Sequence, residues 1–179
     1  MDLEQCNFLA EDLLIKIMPR IHLDVEKIDG LYLNFEPRVP TEVPVWVAMF
    51  LKKKQICTVI PPTWLTVEDL NTISQAEADS PSFTEIPERF FELSHILITQ
   101  CQDDLENLEQ LRTLVKDIWD KRSSKLRTST MEFLETSEGG HVNMNKITQF
   151  EIAHTRDFMV DASATIGKLS NVYLSIDEE

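Results

Sequence analysis

Glycine is scarce in this chain, with Gly30, Gly139, Gly140 and Gly167 its whole supply. A phosphate-cradling loop needs several glycines at fixed offsets, or a Gly-Lys-Ser or Gly-Lys-Thr run after a strand, and these positions build neither. Nucleotide binding is therefore not expected. Cysteine is equally thin. Cys6, Cys57 and Cys101 are odd in number and widely spaced, which disfavours both a disulfide framework and a zinc site made from close ligand pairs. They read as reduced thiols in an intracellular compartment. There is no apolar run of about 18 residues, and Asp2 and Glu4 stand where a leader would carry basic residues, so a soluble, non-secreted chain with no membrane partner is expected. Catalytic patterns are also missing. No serine sits in a nucleophile elbow, no His-Glu-x-x-His occurs, and His22, His95 and His141 stand in separate segments without an evident base or metal partner. Asp103 and Asp104 are adjacent, so on a helix end they diverge instead of forming an acid/base pair. An enzyme is disfavoured, and no cofactor or metal is expected. Positive charge is short as well, with 17 Lys and Arg against 31 Asp and Glu. The resulting net charge of −14 repels a phosphate backbone, so DNA contact is expected to be weak or indirect at most.

What is present is enough apolar residue, 42% of 179, to fill a core of one domain or two modest ones. The strongest local signal is a helix through Leu111–Arg122. Leu108, Leu111, Val115 and Ile118 step by three and four residues, which places them on one helical face, and Leu114 and Trp119 widen it. The next positions on that face are Arg122 and then Leu126. Arg122 has two readings: it snorkels to water from a bundle helix, or its planar fork meets a carboxylate across a buried helix or subunit boundary. Between Arg112 and Arg127 six basic residues oppose Asp117 and Asp120, a local balance of +4. That segment is either a solvated face with intrahelical pairs such as Asp117 to Lys121, or a docking surface for an acidic partner.

In chain order, the pattern predicts a short helix over Leu3–Asp12 and a strand over Leu13–Met18, with Ile15 and Ile17 opposite Lys16 and Pro19 ending the run. A second strand alternates Leu31, Leu33 and Phe35 after a turn at Asp29-Gly30, and Pro37 and Pro40 close it. Within Glu42–Lys54 the run Val43–Leu51 is apolar on every side, and the segment is read as a helix with Pro44 in its first turn and Lys52, Lys53 and Lys54 at its C-terminal end. The lysines are a solvated helix end, or a weak contact to DNA or an acidic neighbour. Ile56–Ile60 reads as a strand stopped by Pro61-Pro62. The unit so far is small, and its own core would be marginal. Beyond it the chain turns helical. Thr66 is the expected N-cap of one helix, Phe90, Leu93, Ile96 and Leu97 form the stripe of the next, and Asp103 with Glu106 supplies the capping pattern for the helix at Leu111. After a loop at Ser137–His141, with Asn143 or Asn145 as cap, a last helix keeps Ile147, Phe150, His154, Phe158, Ala162, Ile166, Leu169 and Val172 on one face. His154 there is read as a hydrogen-bonded core residue. The fold class expected is α+β, mainly α: a small β-containing N-terminal domain over residues 1–62 and a helical bundle over residues 63–176.

Three stretches carry a resemblance. Glu42–Ala48, Ile56–Leu65, and Leu111–Arg122 with Lys125-Leu126-Arg127 together resemble the family of second Psf subunits of the eukaryotic GINS complex, and the third is the most specific. The likeness runs over nearly the whole chain. It implies a non-catalytic structural subunit of a nuclear heterotetramer with Sld5, Psf1 and Psf3. By the same resemblance that assembly joins Cdc45 and the Mcm2-7 ring to form the replicative CMG helicase for initiation and elongation, with the ATP sites in the Mcm proteins. Carried onto this sequence, Leu111, Leu114, Val115, Ile118 and Trp119 are helical core or subunit interface, and Arg112, Asp117 and Arg122 are polar interface candidates. Trp46 and Trp64 then fix the small domain and its junction. The other reading is a helical adaptor of a different nuclear assembly.

Overall fold

The computed structural model describes residues 2–28, 31–135, 145–156, 158, 160–161 and 164–165, with the backbone alone for residues 23–28, 31–33 and 131–135. The expected turn at Asp29-Gly30, the loop at Ser137–His141 with Asn143, and the last helix's Ala162, Ile166, Leu169 and Val172 lie outside these residues.

Helix α1 covers Leu3–Glu11 and opens on a capping box in which Asp2 accepts from the Gln5 amide and the Gln5 side chain accepts from the Asp2 amide. Strand β1 (Leu14–Pro19) is the middle of a three-stranded antiparallel sheet, flanked by β4 (Thr41–Pro44) and β5 (Cys57–Ile60). Its alternation is the expected one. Ile15 pairs with Val43 and Ile17 with Val59, and all four are buried, whereas Lys16 lies opposite Glu42 at the surface. Strands β2 (Leu23–Ile28) and β3 (Leu31–Phe35) form a separate two-stranded antiparallel ribbon.

Two expectations are corrected here. Glu42–Lys54 is not all helix: Thr41–Pro44 pairs with β1, and helix α2 starts at Val45 and runs to Lys53. Val43 precedes a proline and so favours extended backbone, and Pro44 itself is extended (φ −57°, ψ 147°), acting as the N-cap residue outside the first turn. Strand β2 was not anticipated from the sequence. Its apolar residues are Leu23, Val25 and Ile28, a change of phase inside six residues that coincides with a register shift between Leu23 and Glu26.

Helix α3 (Val67–Asp79) has the expected cap, with Thr66 Oγ1 accepting from the Asp69 amide. Helix α4 covers Phe90–Gln100, a 3-10 turn follows over Gln102–Asp104, and α5 runs for 28 residues over Leu108–Glu135. Asp103 is therefore not the cap of α5. The chain enters that helix through Asn107 at φ 54°, a left-handed conformation that asparagine tolerates, because the carboxylate of Asp104 is held by the sheet (below). The last helix, α6, occupies residues 149–156, and the described residues 158, 160–161 and 164–165 are helical as well. Its cap is Thr148 and not Asn145: Thr148 and Glu151 exchange backbone and side-chain hydrogen bonds as a capping box.

One apolar core runs through the molecule. It extends from Ala10, Ile15 and Ile17 through Val43, Val45, Val47, Ala48, Leu51 and Val59 into Leu70, Phe90, Phe91, Leu93, Leu97, Leu111 and Ile118, so the small sheet completes its core against the helices. A chain of rings continues it. Trp64 lies 5.1 Å from Phe90, Phe90 and Phe91 meet edge to face, and Trp119 packs at 5.0 Å against Phe91 and 5.6 Å against Phe150. Each such pair adds about 0.5 to 1.5 kcal/mol beyond its buried area.

Candidate assembly surface and the ion cluster beneath it

The basic segment of α5 splits into an inward and an outward set. Lys121, Arg122 and Lys125 turn toward α3. Lys121 Nζ donates to the Ser74 carbonyl at 3.0 Å and its Oγ at 2.7 Å, which replaces the expected pair with Asp117. Arg122 is fully buried. Its Nε and Nη2 donate to the two oxygens of Glu151 at 2.6 and 3.0 Å, a bidentate pair. Nη1 donates to Glu77 Oε2 and the Thr84 carbonyl, both at 3.0 Å, and Nη2 to the Lys146 carbonyl at 2.8 Å. All five guanidinium donors are thus used. Lys125 Nζ reaches Glu77 Oε1 at 2.7 Å and the carbonyl of the same residue, and the Phe83 ring lies 5.2 Å from the guanidinium carbon. Two cations and two carboxylates balance, so the snorkelling reading of Arg122 is replaced by a closed intrachain cluster.

The physical role of this cluster is registry more than net stabilisation. Burying four charges costs about as much as their attraction returns, but an arrangement that satisfies every donor fixes α3, the residue 84 loop, α5 and α6 in one relative position. Burial pushes the Glu77 carboxyl up, yet hydrogen bonds from Lys125 and Thr84 and the Arg122 charge outweigh it and hold the group below its ordinary range. Burial likewise works against the charge on Arg122, and the hydrogen bond and charge of Glu151, with Glu77, raise its pKa.

A second buried carboxylate behaves oppositely. Glu92 on α4 is 2% exposed, its Oε2 has no hydrogen-bond partner among the described residues, and Arg89 reaches its Oε1 only at 3.4 Å. Burial, ahead of these contacts, raises its pKa. A carboxyl raised on folding leaves full stability below its unfolded pKa, ordinarily 4.5, and costs stability as pH rises through the folded value. Glu92→Gln is accordingly expected to raise the thermal midpoint at pH 7 by about 2 to 4 °C, for a gain of about 1 kcal/mol, and to change it little at pH 4. Thermal unfolding followed by circular dichroism at both pH values checks this; an equal shift at both, or a loss at pH 7, contradicts it.

The small sheet is tied to the helices by Asp104. Its Oδ1 accepts from Lys52 Nζ at 2.6 Å and its Oδ2 from the Val59 amide on the sheet edge at 2.8 Å. Lys52 thus leaves the lysine triplet for an internal pair, while Lys53 and Lys54 are exposed and Lys54 lies over the Phe50 ring. Beneath this pair sit Cys57 and Cys101. Burial, with the Asp104 charge second, pushes their thiols up to about 11 and about 12, which keeps them protonated and unreactive at neutral pH.

Of the residues singled out from sequence, Leu111 and Ile118 are core. Leu114, Val115 and Trp119 are half-buried against it, as are Trp46 and Trp64. Arg112 and Asp117 are exposed, Arg112 with a loose pair to Glu109 on the same helix. His154, expected in the core, is instead exposed and lies edge-on to Trp119 at 5.0 Å, because the face of α6 that carries it is open to solvent beside that ring; His95 is exposed too. Glu77, Glu151 and Asp104 were missed. Two of them had a signal: Glu77 follows Leu70 and Ser74 on the buried face of α3, and Thr148-Gln-Phe-Glu151 is a capping-box pattern.

Fold and cluster define an α+β protein of the small-sheet-plus-helical-bundle class, its helices locked in register by buried ions. Two family models divide the chain between them: the PSF2 N-terminal domain matches residues 2–60, and the GINS complex protein helical bundle domain matches residues 64–169. The chain belongs to the PSF2 family of GINS proteins. It is 36% identical over 177 residues, 98% of this chain and 93% of the relative, to the probable DNA replication complex GINS protein PSF2 of Brugia malayi. The identity is 36% over 171 residues with the human DNA replication complex GINS protein PSF2 (94% and 92% covered) and 29% over 170 residues with that of Schizosaccharomyces pombe (94% and 91%). No helix among the described residues is long and apolar enough to cross a membrane.

Proposed function

We propose that this chain is a non-catalytic structural subunit of a nuclear heterotetramer with Sld5, Psf1 and Psf3, and that the tetramer joins Cdc45 and the Mcm2-7 ring in the replicative helicase during initiation and elongation. The observation that carries this reading is the match of both family segments, in order, across a chain that covers more than nine-tenths of the Brugia malayi and human PSF2 proteins. In this reading residues 1–62 and 63–176 are the two units. Trp46 and Trp64 brace the smaller one against the larger, and α5 presents Arg112, Leu114, Val115, Asp117 and Trp119 to other subunits while Leu111, Ile118 and Arg122 hold it in place.

Affinity purification of the tagged chain from nuclear extract of its own source tests this. Sld5, Psf1 and Psf3 are expected in equal amounts, with Cdc45 and Mcm2-7 added in the chromatin fraction of replicating cells. Recovery of a different set of nuclear proteins contradicts it.

A further inference from the structure

The outward cations of α5 border a groove that the core leaves open. Between α4, α5 and α6 lies a cavity of about 480 Å³ with Phe91, Ile98, Val115, Trp119 and Phe150 among its walls. Its polar lining is His95, Arg112 and Lys116 with the neutral Thr99 and Gln102, and no carboxylate among the described residues lines it. In a chain of net charge −14 an apolar groove whose lining carries Arg112 and Lys116 and, among the described residues, no carboxylate is a local reversal of sign. Among the described residues Arg112 is paired with Glu109 alone, their side chains 49% and 79% exposed, and such a pair contributes little and yields readily to a competing carboxylate. His95 and Lys116 are exposed as well. Of the segment's other four cations, Lys121, Arg122 and Lys125 are engaged by α3 and α6, so they do not compete for the same ligand.

We infer that this groove receives an acidic amphipathic helix of a partner subunit. Its apolar side chains at three- and four-residue spacing enter against Trp119, Val115 and Phe150, and its flanking carboxylates reach Arg112, Lys116 and the His95 imidazole. The inference rests on the subunit reading above and adds the face and the chemistry of the contact. Because the walls are rings and branched chains already braced by the core, the groove is formed before the partner arrives and little ordering is needed.

The test uses the full chain co-expressed with Sld5, Psf1 and Psf3. A photo-crosslinking phenylalanine analogue placed at His95 is expected to form its main adduct, after digestion and mass spectrometry, with a partner-subunit segment carrying carboxylates around an apolar stripe. Lys116→Glu combined with Arg112→Glu is expected to lower the fraction of chain in complex at least tenfold near the dissociation midpoint, with an unchanged thermal midpoint for the isolated chain. Adducts confined to this chain's own residues, to a second copy, or to a partner segment without carboxylates overturn the inference, as does full assembly of the charge-reversed variant. A wild-type chain that does not assemble at all contradicts the subunit reading itself, and the groove assignment falls with it.

Discussion

Replacing Arg122 by alanine is expected to lower folding stability by about 3 to 5 kcal/mol, the usual loss when one side of a buried ion pair is removed. The reason lies in what is left behind. Among the described residues Glu151, with its side chain 3% exposed, loses its only ion-pair partner and Glu77 keeps Lys125 alone; two backbone carbonyls lose these donors as well. For a chain of this size the loss corresponds to a fall in thermal midpoint of about 6 to 20 °C. Arg122→Lys should recover little, because an ammonium cannot reproduce the two parallel bonds to Glu151. A double change of Arg122→Met and Glu151→Gln should recover much of it, since the stranded carboxylate is gone and Glu77 keeps its pair with Lys125. Urea unfolding of the isolated chain measures each step, and a loss under about 1 kcal/mol for Arg122→Ala would mean that the cluster is open to water.

Asp104→Ala is expected to cost about 2 to 4 kcal/mol, as it strips both a partly buried ammonium and a strand-edge amide of their acceptor. Lys52 is only 14% exposed in its side chain, so it cannot fully rehydrate without moving. Asp104→Asn keeps an acceptor for the Val59 amide and should lose about half as much. The two effects separate by hydrogen exchange. Alanine should bring the Val59 amide to rapid exchange while Ile118, deep in α5, stays protected; a Val59 amide still protected in the alanine variant would show that the sheet does not depend on this tie.

The stripe of α5 was legible because Leu111, Val115 and Ile118 repeat at helical spacing, and the break in that stripe at Arg122 pointed to a charge in an awkward place. Its partners were not legible. Glu77 and Glu151 lie 45 and 29 residues away, and no local period reports which acid of a distant helix a given base will meet. The same distance explains why six cations looked like one basic face. Lys121 and Lys125 lie on the flank that α3 covers, and only the fold reveals that they point inward. Boundaries failed where tertiary contacts overrode local rules. Asp103 and Glu106 offered a good cap for α5, but the tie from Asp104 to Lys52 and Val59 draws that turn onto the sheet and delays the helix to Leu108. Strand β2 was hidden because its apolar phase slips where the ribbon shifts register, so neither a period of two nor one of 3.6 fits it.

The subunit reading stands or falls most directly on stoichiometry. Native mass spectrometry of this chain co-expressed with Sld5, Psf1 and Psf3 is predicted to show a single complex containing one copy of each, which loses this chain as one unit on activation. A spectrum in which the other three proteins assemble while this chain remains at its own monomer mass would contradict it.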